Sequence, residues 1–431
     1  MQGYGKLVLE SYNVAGFMWR CDKVMGKAMS SVFSEIFVNN LFELDSNACK
    51  CEKDTKNVVP GEPPETTLKI YSLSDRPIHF SYSDKEGLNL TGFQGRVIIK
   101  NILGQVLALK DGDADGIIRL IEKAGFILPI SFQNYEAIEL NALMKIIRRI
   151  KATVKLMNAI DGKNVYEQIR MFQAMTYLLY DDPVELDLEG VKYSTCPHAL
   201  NKLLRNPMPL RDFRSDRDSI LENGNFEVSD SISPSGKAEV SHDLFNQMQM
   251  GSFGTIPGQG SDKYRNLFFA YLSTMKKQSD WSLVVDFYMN YQNTTGIIDS
   301  VDLDSITYYD PKTQFTLNDD LKKALPKVAR MVLSNEINHN ISSIHMQYDG
   351  EGLAPKWKIE TLLQALYFAI FYMKPGIKMY KRCANPNCKR DIFFLTDRTK
   401  TNKEYCSTQC RSAAGQRRRR LNEQAENKPQ S

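Results

Sequence analysis

The sequence predicts an α+β fold, predominantly helical, with a mixed N-terminal region, a helical middle and a small cysteine-held module toward the C-terminal side. Segments with apolar residues three and four apart outlast the alternating ones. Two short alternating runs flank residue 75. Two close cysteine pairs bracket a short excursion after residue 380. The 431 residues exceed the roughly 250 to 300 that one hydrophobic core usually organises, so two or three units are expected. A hydrophobic fraction of 42% and a charged fraction of 25% are ordinary for a chain that folds over most of its length.

Residues 17–42 carry Met, Val, Phe and Leu at helical spacing. A polar loop with three prolines, 45–65, separates them from strands at 67–73 and 78–83, which stand either side of an Asp75-Arg76-Pro77 turn. The stretch 113–124 reads as a short helix ended by Gly125. Two amphipathic helices, 135–160 and 165–180, follow, broken at Asp161-Gly162. Residues 223–262, rich in Gly, Ser, Pro and Asn, read as a linker or long insertion. A helical block opens near Lys263. Within it 318–338 is helical with a kink or restart at Pro326, 341–348 is a strand, and 359–372 is the most apolar helix, ending at Lys374-Pro375-Gly376. The divisions are 1–210, mixed α/β with a ligand or partner role; 211–262, linker; 263–380, helical; 381–423, the cysteine module with its basic helix; and 424–431, a polar tail.

No run approaches the roughly 18 to 20 apolar residues of a membrane span; the longest, 365–373, is about half that. Residues 1–13 lack the basic patch and apolar run of a signal peptide, so a cytoplasmic protein with no membrane partner is expected. There, cysteines serve as thiols or metal ligands. No phosphate-cradling glycine loop or nucleophile elbow is present, so no enzyme is predicted.

Four residues separate Cys383 from Cys388, three separate Cys406 from Cys410, and seventeen lie between the pairs. Two thiolate pairs across a short excursion suit a tetrahedral Zn²⁺, with sulfurs about 2.3 Å from the metal. A helix starting at Ser407 would put Cys406 and Cys410 at its N-terminus, where the macrodipole favours thiolate. The Ile-Phe-Phe-Leu run before Thr396 reads as a hairpin beside the metal. Four protein ligands leave no open position, so the zinc is structural. Lys381, Arg382, Lys389, Arg390 and Lys403 offset the −2 charge of a four-thiolate site.

The expectation beyond zinc is nucleic acid. Residues 381–420 hold twelve Lys or Arg against three acids, a balance of +9, while the remainder is −5. Projection at 100° per residue puts Cys410, Ala413, Ala414 and Leu421 on one side of the last helix and Arg411, Gly415, Arg418 and Arg419 on the other. The expected contacts are Arg411, Arg417, Arg418, Arg419 and Arg420, with Lys403 and Arg398. Other readings are a protein-interaction or structural zinc module, and RNA or single-strand binding with Phe393 and Phe394 as stacking groups.

The strings CANPNCKRDIFFL (383–395) and YCSTQCRSAAGQRRRR (405–420) resemble the bacterial CGNR-type zinc fingers. The resemblance implies that Cys383, Cys388, Cys406 and Cys410 ligate zinc, that the partner is double-stranded DNA, and that the protein regulates transcription. An apolar helix like 362–372 and a glycine-ended helix like 117–124 extend it upstream. Here Arg411-Ser412-Ala413 replaces the name-giving Gly-Asn-Arg, which leaves clustered arginine to contact phosphates.

Several further signals have blander readings. Asp111, Asp113, Asp115, Gly116 and Glu122 match a calcium-loop pattern, but Gly125 cuts the exiting helix short, and Asp113 or Asp115 serves as a cap. Cys21, Cys49, Cys51 and His79 have irregular spacing for a second metal site and read as incidental. Cys196 with His198 suggests a nucleophile and base, but alternate residues rarely face each other usefully. His339 and His345 read as ordinary residues.

Overall fold

In the computed structural model the described residues are 41–56, 65–83, 86–91, 97–128, 135–188, 191–205, 227–228, 239–240, 263–264, 266–267, 270–271, 280–308, 317–349, 354–373, 376–388, 393–400 and 402–426. The chain begins with β1 (Leu41–Lys56), β2 (Glu65–Ser83), β3 (Gly87–Thr91), β4 (Val97–Ile99), α1 (Ile102–Ala108) and α2 (Ala114–Ala124). Then come β5 (Tyr135–Glu139), α3 (Leu140–Ala159), α4 (Val165–Tyr180), β6 (Glu185–Leu188), β7 (Val191–Ser194), α5 (Ala199–Arg205), β8 (Glu227–Val228) and β9 (Glu239–Val240). The second half holds α6 (Asp280–Thr295), β10 (Ile298–Val301), β11 (Ile306–Tyr308), α7 (Asp319–Ile341), β12 (His345–Asp349), β13 (Ala354–Ile359) and α8 (Leu362–Phe371). It closes with β14 (Lys378–Arg382), β15 (Phe393–Asp397) and α9 (Thr408–Glu426). The class is α+β: helices with mostly antiparallel sheets.

Seven strands make the largest sheet, in the order β12-β13-β1-β2-β3-β4, with β5 also pairing β2. Only the β1–β13 pair in it is parallel. The stretch 45–65, expected as a polar loop, is instead strand as far as Lys56. Its two-residue period is disguised, because the buried positions carry Cys49 and Cys51, acting as small hydrophobes, while Lys50, Glu52 and Lys53 face water. Likewise 67–83 is one strand, β2, and no turn divides it. Both of its halves pair with β1, and Pro77, which has no N–H to give, sits where the register slips between Asn47 and Ala48.

Helix ends follow the capping residues. Asp113 Oδ1 accepts from Gly116 N at 2.7 Å to start α2, and Gly125 (φ 86°) stops it. Asn164, Asn318 and Thr361 cap α4, α7 and α8 in the same way. The predicted helix 135–160 starts only at Leu140, because Tyr135–Glu139 is recruited as β5 alongside β2. A five-residue piece satisfies either period, and the neighbouring strand decides. Nor does Pro326 restart a helix: α7 runs continuously through it. The carbonyl robbed of its N–H belongs to exposed Lys322, where water can serve it. Residues 17–40, and 223–262 apart from β8 and β9, lie outside the described residues.

One core runs from Cys49 to Leu395 and draws on both the 1–210 and 263–380 regions. The C-terminal module is docked into this core by the β14–β15 hairpin, whose Tyr380 and Leu395 are members of it. Asn158 of α3 meets the Tyr380 backbone twice, giving Nδ2–H to its carbonyl at 3.1 Å and accepting its N–H at 3.2 Å. Asn101, held left-handed (φ 53°), accepts from Gly104 N and donates to the Phe393 carbonyl at 2.6 Å. Gly104 is glycine because a Cβ there would run into that carbonyl oxygen and the Asn101 side chain. Gly104→Ala should therefore lower stability by about 1–3 kcal/mol in urea unfolding, against the helix-propensity gain of about 1 kcal/mol that alanine normally brings.

Candidate metal centre

Cys383 and Cys388 sit on a turn after β14. Cys388 N–H donates to the Asn385 carbonyl (3.0 Å), and Asn387 N–H to the Asn385 side chain (3.2 Å). The turn is tied to the second pair by Ala384 N–H donating to the Glu404 carbonyl at 2.8 Å. Cys410 lies in the first turn of α9, which Ser407 caps by accepting the Cys410 N–H at 3.2 Å. The four sulfurs lie within 4.8 Å of one another. The Cys388–Cys406, Cys410–Cys388 and Cys406–Cys410 separations are 3.8, 3.6 and 3.5 Å.

Sulfurs about 2.3 Å from a tetrahedral ion stand about 3.8 Å apart, so the cluster already has the size of a four-thiolate zinc shell. Burial pushes the Cys406 thiol up to about 12. In Cys410 burial acts in the same direction, but hydrogen bonds from Asn385, Cys406, Ser407 and Cys388 outweigh it and bring the thiol down to about 7. A bound cation would draw all four sulfurs toward the thiolate form. Phe394 packs on Cys383 and Cys388 as a small second core.

Beyond this centre α9 projects with Arg411, Arg417, Arg418, Arg419 and Arg420 exposed and Ala414 buried. Arg418 donates to the Tyr405 hydroxyl (2.7 Å) and Arg417 to Asn387 Oδ1 (3.2 Å), which tie the helix to the metal loops through neutral groups. Among the described residues no carboxylate pairs with any of the five. Lys403 lies over the Phe394 ring. Arg398 is placed differently from the other expected contacts: it pairs with Glu167 at 2.5 Å and donates to the Asn158 carbonyl, so it clamps the module to the body. Lys389 and Arg390 lie outside the described residues. Phe394 is 5% exposed, and Phe393 is partly buried against the main core.

The structure also assembles a group that sequence spacing missed. Cys196 and His198 meet Glu336 of α7, all three buried. Glu336 receives Arg149 of α3 in an ion pair, His198 Nε2 at 3.0 Å and the Tyr367 hydroxyl at 3.4 Å. Arg149 also donates to the Leu178 carbonyl. Burial pushes Cys196 up to about 12, which suits a thiol and not a nucleophile. The available signal was a cation and an anion each set among apolar helical neighbours. Of the other readings, Asp111 pairs with Arg148 and Asp113 caps α2, Cys49 and Cys51 are strand core, and His339 bonds the Ser194 carbonyl. No described helix is long and apolar enough to cross a membrane.

No protein-family model, no curated protein and no solved structure matches this chain.

Elemental analysis of the purified protein should return about one zinc per chain, and close to none in Cys406→Ser/Cys410→Ser. At the buried cluster, Arg149→Met should cost about 3–5 kcal/mol in urea unfolding, and adding Glu336→Met should restore much of it. Burial raises the Glu336 carboxyl, but Arg149 and the His198 hydrogen bond outweigh burial and hold it below the usual range. Its stabilising share is therefore complete above the ordinary carboxylate pKa and is lost as pH falls through the depressed value. Relative to Arg149→Met/Glu336→Met, which lacks the titrating carboxyl, the wild type should accordingly lose stability as pH falls through that depressed value, read by urea unfolding across pH.

Proposed function

We propose that this chain binds nucleic acid through α9, with Zn²⁺ held by Cys383, Cys388, Cys406 and Cys410 in a treble-clef-like module, and that it acts as a DNA-binding regulator of transcription of the CGNR-type kind its C-terminal motif resembles. The observation that carries the reading is the row of exposed arginines on α9, which among the described residues have no carboxylate partner, on a helix whose first turn is anchored at the sulfur cluster. A charge so concentrated suits a polyanion from outside better than the chain's own acidic body. Zinc supplies rigidity: it fixes the start of α9, so the arginines are presented in one register instead of sampling a disordered tail. Arg411 and Arg417–Arg420 contact phosphates, with Lys403 beside them, and the docked hairpin transmits the position of the body to the helix. Duplex DNA is the favoured partner, because of the two phenyl rings that would stack on unpaired bases Phe394 is buried and Phe393 half-buried.

Fluorescence anisotropy with labelled duplex DNA on the zinc-loaded full chain tests this. Affinity should fall steeply with salt, with a slope of about −0.9 per phosphate contact, and replacing Arg417–Arg420 by alanine should shallow that slope by about 3 to 4. Equal affinity and slope in that variant would overturn the reading.

A further inference from the structure

Between the body and the metal module runs a groove of about 780 Å³. One wall is built from β4, α1 and α2; the other is β15 and the loop with Lys403 and Cys406. Its lining includes an apolar set: Val97, Ile98, Ile99, Leu120 and Leu395. Ile98 is 63% exposed, and among the described residues β4 ends the sheet, so the outer edge of this strand offers backbone donors and acceptors beside bare aliphatic surface.

Five cations line the same groove: Lys100, Lys110, Arg119, Lys123 and Lys403, against the carboxylates Glu86 and Asp113. Glu86 is engaged by Lys100 at 2.8 Å and Asp113 caps α2. Among the described residues Lys110, Arg119, Lys123 and Lys403 therefore have no carboxylate partner. Arg119 and Lys123 are one turn apart and share a face of α2, while Lys403 comes from the opposite wall. Cations left unneutralised around exposed aliphatics repel one another and gain nothing from the fold. They suit a ligand with spread negative charge, flat apolar faces and hydrogen-bonding edges. Inorganic phosphate would not use the apolar surface, and a fatty acid would not use the strand edge.

We propose that this groove binds a nucleotide unit, its phosphates on Lys110, Arg119, Lys123 and Lys403 and its base against Val97–Ile99. A free nucleotide and an unpaired nucleotide of a bound strand offer the same chemistry. The inference does not require the reading of α9. Because one wall belongs to the metal module, occupant and metal should stabilise each other reciprocally.

The probe is ATP carrying a fluorescent N-methylanthraniloyl group, titrated into the zinc-loaded full chain and read by anisotropy. Binding should saturate with Kd below about 1 mM. It should weaken about tenfold or more in Arg119→Glu/Lys123→Glu and, separately, in Lys110→Glu, all exposed positions whose thermal melts should stay unchanged. Alanines at Arg417–Arg420 should leave it within about twofold; a loss there would put the binding on α9 and overturn the proposal. In that alanine background, displacement by unlabelled ATP but not by a single-stranded oligonucleotide identifies a free nucleotide, and displacement by the oligonucleotide at lower nucleotide concentration identifies a strand. The absence of saturable binding, or binding unchanged by charge reversal on α2, would also overturn it.

Discussion

Four sulfur atoms within 4.8 Å of one another place the demand around which the C-terminal part of this chain is arranged. As thiolates at separations of 3.5 to 3.8 Å they would repel strongly, and a divalent cation at their centre would convert that repulsion into attachment. Two of them stand at the start of α9, so whatever fixes the sulfurs fixes the helix axis. The fold supports the same end from the protein side. Ser407 closes the first turn of α9, and Asn385 shapes the opposite turn. The core beside the sulfur cluster, Cys383, Cys388 and Phe394, is too small to stand alone. It is carried by β14 and β15, which place Tyr380 and Leu395 in the main core.

That dependence explains the sequence of the joint. Asn158 can serve both the N–H and the carbonyl of Tyr380 because an amide carries donor and acceptor together. Asn101 must turn left-handed to reach the Phe393 carbonyl, and Gly104 must lack a side chain to let that carbonyl approach. The cysteine module and the body are thus joined by hydrogen bonds, and the groove between them has walls that belong to both.

Environment, not residue type, divides the chain's charges into roles. Arg149 is spent inside on Glu336 and Arg398 at the joint on Glu167, whereas the arginines of α9 face water. Cysteine divides in the same way. Cys196 is a buried thiol pushed up to about 12, and Cys410, surrounded by hydrogen-bond partners, is brought down to about 7. A buried charge is tolerable only with its partner in place, while an exposed one is free to meet a partner from outside.

The sequence alone determined what local spacing can determine. It marked the two cysteine pairs, the exposed basic helix, and the ends of α2 and α4, because a ligand pair, a cap or a charge run involves residues a few positions apart. Only the tertiary structure decided what depends on distant neighbours. Strand β1 was hidden because its inward positions are cysteines, and β5 because a five-residue piece becomes strand only when β2 lies beside it. That Arg398, expected as a nucleic-acid contact, pairs with Glu167, 231 positions away, is likewise invisible in the sequence. Arg149 and Glu336, 187 positions apart, could be recognised as partners only once α3 and α7 were packed together. Short-range patterns are written in the order of residues, whereas long-range pairings exist only after the chain has brought remote elements into contact.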